Sequence, residues 1–129
     1  MSGSRGHKDL IVYQKAFALA MKIFRISKKF PKEETYSLTD QIRRSSRSVA
    51  TCIAEAYRKR TYQAYFVNKI SDGDMENSES QVWLDFALAC NYIEQSEKNQ
   101  LENDSEEVGR MLTSMIKHPE KFLPKGQKK

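Results

Sequence analysis

Apolar side chains recur along this chain every three or four residues, the spacing that lines one face of an α-helix. The plainest case is residues 38–60, LTDQIRRSSRSVATCIAEAYRKR. Wound as one helix, it places Leu38, Ile42, Val49, Cys52, Ile53 and Ala56 along one stripe. Arg43, Arg47 and Arg58 fall on the opposite side, with Arg44 on the flank. Ser45, Ser46, Ser48, Ala50, Thr51 and Ala54 lie between. A helix so poor in bulk lets neighbouring backbones come close, which is the role expected of its serines.

An earlier helix is predicted from an Asp9 cap to about residue 29. It carries two adjacent apolar stripes. One is Leu10, Tyr13, Phe17, Ala20, Met21 and Phe24; the other is Val12, Ala16, Leu19, Ile23 and Ile26. Together they cover roughly 200° of the helix, where an ordinary surface helix shows about 100°. That breadth suits either the central helix of a bundle or a helix that packs its own core on one side and a second subunit on the other; the second is the expectation, with Leu19, Ile23 and Ile26 as the oligomer contact. Pro31 stops this helix near Phe30, and Ser37 or Thr39 is the expected cap of the next. Asp40 precedes Arg43 and Arg44 at helical spacing, so local pairing of part of the arginine cluster is expected.

A third helix starts around Tyr62. Residues 71–81, SDGDMENSESQ, read alone as a polar loop, yet Phe66, Ile70, Gly73, Asn77, Ser80, Leu84 and Ala87 keep one helical face through them. The expectation is a continuous helix to about Asn91, in which Gly73 costs up to about 1 kcal/mol relative to alanine. After a short turn, a fourth helix is predicted from about Ser96 to Lys117, anchored by Leu101, Val108, Met111, Leu112, Met115 and Ile116. Four amphipathic segments joined by short connections define an all-α fold, an antiparallel up-down four-helix bundle. Its expected extent is residues 9–118, between a flexible start (1–8) and a basic flexible tail (119–129).

Composition agrees: three prolines and five glycines in 129 residues are too few for a turn-rich β protein. No apolar run approaches the roughly 20 residues that span a bilayer, and the N-terminus lacks the apolar core of a signal peptide, so a cytoplasmic location is expected. The net charge of +5 conceals a segregation. Residues 1–70 carry +10, residues 71–107 carry −10, and residues 108–129 carry +5. A basic average is thus weak evidence for a nucleic-acid partner, and only a clustered basic face counts.

Chemistry is sparse. There is no phosphate-binding glycine loop, no GxGxxG and no GxSxG. His7 and His118 sit near the chain ends without partners at metal-ligand spacing, and Ser45, Ser46 and Ser48 have no histidine nearby in sequence. Asp72, Asp74, Glu76 and Glu79 do not match a calcium loop and read as a solvated or arginine-paired face. Cys52 and Cys90, each beside apolar residues, read as buried free thiols, with a structural disulfide as the alternative. Neither an enzyme, a cofactor nor a metal site is expected.

Several motifs resemble those of the four-helix-bundle family encoded by 23S rRNA intervening sequences. They are the opening Asp9-Leu10, Val12-Tyr13-Gln14 and Ala16; the connection Phe30-Pro31, Glu33 or Glu34, Tyr36 and Leu38; Gln41-Ile42-Arg43-Arg44; Ser48; and Ile53-Ala54-Glu55. Glu79-Ser80-Gln81 is similar to a later family segment. The resemblance implies a bundle that assembles into a ring, typically a homopentamer. The family includes the accessory variability protein of diversity-generating retroelements, which implies a basic ring that binds nucleic acid and a reverse transcriptase.

Two functions compete. In the first, a ring presents Arg43, Arg44, Arg47, Lys59 and Arg60 to RNA or DNA phosphates, with residues 121–129 as a secondary contact. In the second, the chain is a protein-interaction scaffold, for example docking a reverse transcriptase, and its segregated charge serves assembly. Pairing of Arg43, Arg44 and Arg47 with Asp72, Asp74, Glu76 or Glu79 favours the scaffold; an uncompensated stripe favours nucleic acid.

Overall fold

A computed structural model describes residues 5–124. Four helices run α1 (Ile11–Ser27), α2 (Leu38–Arg58), α3 (Gln63–Ala89) and α4 (Gln95–Lys117), and no strand occurs among the described residues. Successive helices pack on each other, and α4 closes back onto α1. Cross-helix bonds show the antiparallel sense. Lys15 and Lys22 of α1, and Lys29 just past its end, meet Glu107, Asp104 and Glu97 of α4, rising on one side as they fall on the other.

The predicted periodicities become the core. All seven positions expected on the inner face of α3, from Phe66 to Ala87, are buried, and the helix runs unbroken through residues 71–81. Polarity does not break it because its inner polar groups are satisfied. Asn77 Nδ2 donates to the Ser105 carbonyl, Ser105 Oγ donates to Asn77 Oδ1, and the Ser45 and Ser80 hydroxyls bond at 2.8 Å. No buried side-chain polar atom among the described residues lacks a partner. Ile23, Ile42, Ile53, Phe66, Ile70 and Leu84 are fully enclosed, each worth about 1.5–3 kcal/mol over an exposed position. Gly73 lies at the α2–α3 seam, where an added Cβ would stand 3.2 Å from the Cβ of Cys52 and 3.7 Å from the Val49 carbonyl.

Several local expectations need correction. Leu19 and Ile23 do not face a second subunit; both belong to the core beside Leu38, Ile42 and Leu84, and Ile26 packs partly against it. The exposed apolar residues of α1 are Ile11, Phe17 and Met21. Asp9 does not cap α1. Leu10 holds the cap position, and the Asp9 carboxylate accepts from the Arg5 backbone and guanidinium within a 3-10 turn, Gly6–Asp9. The expected flexible start therefore carries an ordered turn, while residues 1–4 lie outside the described part. The expected tail begins with a second 3-10 turn, Pro119–Phe122, whose Phe122 stacks on Phe66 at 5.6 Å; residues 125–129 lie outside the described part. Cys52 is buried, and burial pushes its thiol up, but Cys90 is exposed at the end of α3.

The start of α2 is held by Glu34, not by the side chain of Ser37 or Thr39. One Glu34 oxygen accepts from Ser37 Oγ (2.6 Å) and the Leu38 amide (3.2 Å), and the other from Tyr92 Oη (2.8 Å). These donors, Ser37 first, hold the carboxyl below the usual carboxylate range, and the carboxylate pushes Tyr92 up to about 12. A lowered carboxyl stabilises fully above its unfolded pKa and ceases to do so as pH falls through its folded one. Glu34→Gln is therefore expected to unfold at lower urea than the parent at pH 7, with the gap closing below about pH 4. Urea midpoints measured across that range check it.

The turn from α3 to α4 closes in a Schellman arrangement. The Tyr92 amide bonds the Ala87 carbonyl, the Asn91 amide bonds that of Leu88, and Asn91 takes a positive φ of 62°.

Candidate nucleic-acid interface

The inner stripe of α2 carries Leu38, Ile42, Ser45, Val49, Ile53 and Ala56. At 100° per residue this sends Arg43, Arg47 and Arg58 outward on the side of α1, while Arg44 turns toward α3. The structure thus separates three arginines that lie together in sequence. Arg44 Nη1 pairs with Glu76 at 3.4 Å, and its Nη2 pairs with Glu79. Its charge is matched by carboxylates of α3, the pairing that the scaffold reading expects, although its side chain stays half exposed and lines a cleft with Arg43 and Arg47.

Arg43 and Arg47 make no ion pair among the described residues. Arg43 Nε donates to Ser27 Oγ at 2.7 Å, and its guanidinium lies 4.8 Å from the centroid of the Phe24 ring. Lys28 Nζ lies 4.9 Å from the same centroid, and the Arg47 guanidinium 5.6 Å. Each such contact is worth about 0.5–1 kcal/mol at an exposed site. Three cations thus gather round one aromatic ring, with no carboxylate paired to Arg43 or Arg47 among the described residues. Among the described residues Asp40 is the one carboxylate lining the adjoining cleft of about 570 Å³, which also holds Arg43, Arg44, Arg47 and Tyr36.

Lys59 and Arg60 form a second cluster at the other end of α2. Lys59 Nζ lies 5.0 Å over Tyr65, and the Arg60 guanidinium 4.0 Å over Tyr57, where its Nη1 also donates to the Tyr57 carbonyl. Arg58 is exposed and makes no ion pair among the described residues. The expected binding set omits it, although it shares the helical face of Arg43 and Arg47. Phe24, the hub of the first cluster, is legible in the sequence only as one more apolar position, with Lys28 four residues on. A cleft of about 820 Å³ opens here, lined by Arg5, His7, Tyr57, Arg58, Lys59 and Arg60 among others.

Between the clusters lies an apolar groove of about 350 Å³, floored by Ala20, Ala50 and Ala54 and rimmed by Tyr13, Phe17 and Met21. On another side Tyr36, Val82 and Phe86 stand exposed, with Trp83 against Phe86. Lysines elsewhere are mostly matched: Lys15, Lys22 and Lys29 by α4, Lys69 by Glu55, and Lys98 by Asp85 and Glu102. Lys121 is exposed; the rest of the basic tail, from residue 125, lies outside the described part. No helix of the described residues is long and apolar enough to cross a membrane, and no group of three or more His, Cys, Asp or Glu among them could hold a metal ion.

These features define an all-helical four-helix bundle with an arginine-bearing second helix. A sequence profile of the 23S rRNA-intervening sequence protein family matches residues 8–114, and the chain belongs to that family. It is also similar to the crystal structure of a protein of unknown function from the S23 ribosomal protein family of Bacteroides thetaiotaomicron. The two share 30% identity with a TM-score of 0.75 over 83% of this chain and 99% of that one. No curated protein matches.

Proposed function

We propose that this chain is a non-catalytic, nucleic-acid-binding protein that works as a ring-shaped oligomer, a homopentamer. One observation carries the binding reading. Arg43, Arg47, Arg58, Lys59 and Arg60 lie on or just past one helix with no ion pair among the described residues, while Arg44 and five of the lysines are matched by carboxylates. Guanidinium forks suit phosphate because each can donate two hydrogen bonds at once. A ring repeats the patch in every subunit, so weak single-site attraction multiplies.

Assembly is supported by two unlike exposed patches: the Phe17–Met21 groove, flanked by Arg47, and the Tyr36, Val82 and Phe86 patch, near Glu34 and Glu79. Contact between two different patches is heterologous, the type that closes rings.

The test is the triple change Arg43→Gln, Arg47→Gln and Arg58→Gln, in protein confirmed folded by circular dichroism, with Arg44→Gln as control. Affinity for mixed RNA or DNA should fall. The slope of log affinity against log salt should flatten by roughly 0.7–0.9 for each phosphate that is no longer neutralised. Unchanged affinity and slope in the triple variant would remove these arginines from the role. No binding by the parent at low salt leaves the scaffold reading, in which the same patches dock a protein partner.

A further inference from the structure

We infer that the cleft at the α2–α3 joint takes an unpaired base, so that this protein prefers single-stranded nucleic acid to duplex; the inference rests on the reading above and names its substrate class. Three successive cations, Arg58, Lys59 and Arg60, line the cleft. Among the described residues the only carboxylate lining it, Glu55, is engaged by Lys69 at 3.2 Å. The cleft therefore offers uncompensated positive charge, as a phosphate backbone requires.

Its walls are aromatic as well as basic. The Arg60 guanidinium is layered on Tyr57 and held by a hydrogen bond to that residue's carbonyl. Lys59 sits over Tyr65, and Tyr62 stands exposed at the same joint. Tyrosine rings and guanidinium planes are the surfaces on which splayed bases stack. The platform is also ordered before binding: the joint is pinned by the amides of Lys59, Arg60 and Tyr62 bonding the carbonyls of Ala56, Tyr57 and Lys59.

Shape selects against duplex. Reading a duplex from its grooves requires a helix or ribbon that projects into them, whereas this site is concave. At about 820 Å³ it lies within the roughly 300–1,000 Å³ typical of small-ligand sites, room enough for a nucleotide unit. In a duplex the bases face inward and cannot enter such a hollow. Only a strand free to turn a base outward satisfies the aromatic walls and the cations together.

The experiment is fluorescence anisotropy of the full chain with a labelled 20-nucleotide oligo-dT or oligo-U and with a 20-base-pair mixed-sequence duplex, at several salt concentrations. The parent is expected to bind the single strand at least tenfold more tightly than the duplex. Tyr65→Leu and Tyr57→Leu should each lower single-strand affinity about tenfold, within the range for loss of one stacked base, and change duplex affinity less than twofold. Lys59→Gln with Arg60→Gln should weaken both and flatten both salt slopes. Equal affinity for the two forms, with both tyrosine variants unchanged, overturns the single-strand inference and leaves the phosphate-binding reading standing. Absence of binding to either form at low salt overturns both.

Discussion

Gly73→Leu is expected to destabilise the bundle by about 3 kcal/mol or more, the upper end for inserting side-chain volume into a packed interior. The position is buried against α2, and even a bare Cβ would meet Cys52 Cβ at 3.2 Å. Neither neighbour can swing away, because one atom is bonded directly to the α2 backbone and the next, the Val49 carbonyl, is backbone. Leucine adds three further carbons to that space. For a domain of this size the loss corresponds to a fall in Tm of roughly 10 °C. Gly73→Ala separates the two effects at the site. It regains about 1 kcal/mol of helix propensity and meets only the single close contact, so its stability should lie within about 1 kcal/mol of the parent. Urea denaturation of both variants checks the pair. A Leu variant as stable as the parent would mean that the helices do not approach at this point.

The same seam shows how far the sequence reaches. Residues 71–81 look like a loop by composition, but the seven-residue face from Phe66 to Ala87 continues through them, and every member is buried. Period outweighed polarity because Asn77, Ser80 and Ser105 find hydrogen-bond partners within and across the interfaces, and because glycine at 73 fits a crossing too tight for a large side chain. What remained illegible is the direction of faces. Helix α1 is apolar around so much of its circumference that period alone cannot say which stripe points inward. The stripe of Leu19 and Ile23 proved to be core, and that of Phe17 and Met21 faces solvent. On α2 the arginines adjacent in sequence point about 100° apart, so Arg44 reaches the carboxylates of α3 while Arg43 reaches Phe24 of α1. Pairing across helices depends on which helix is the neighbour, and that is a property of the packing. Capping by Glu34 was hidden for a related reason: a carboxylate three residues before the cap position is outside the usual Ser/Thr/Asp/Asn signature.

Ile23→Asp and Phe17→Asp, six residues apart on α1, are expected to fail in different ways. Ile23 has 0% exposure, and the side chains around it include Leu19, Phe30, Ile42 and Leu84. A carboxylate there has no described partner, so the change should cost more than about 4 kcal/mol, the range of buried unpaired charge. That is a large share of the roughly 5–15 kcal/mol typical of a whole domain, and circular dichroism should show the helices substantially melted at neutral pH. Phe17 is 51% exposed, so Phe17→Asp should keep the helical spectrum and melt within a few degrees of the parent. Under the proposed ring its effect falls on assembly. If the Phe17–Met21 groove receives the Val82 and Phe86 patch of the next copy, Phe17→Asp and Phe86→Asp should each reduce the mass found by light scattering to that of a monomer. Each variant retains one intact half of that contact. Mixed in equal amounts, the groove of the Phe86→Asp chain can take the patch of the Phe17→Asp chain, and the mixture should rise to dimers and no further. A contact built from the groove alone, the same patch on both partners, would leave Phe86→Asp fully assembled and give no recovery on mixing. A parent that is monomeric at micromolar concentration would remove the ring and leave each bundle to present its arginines singly.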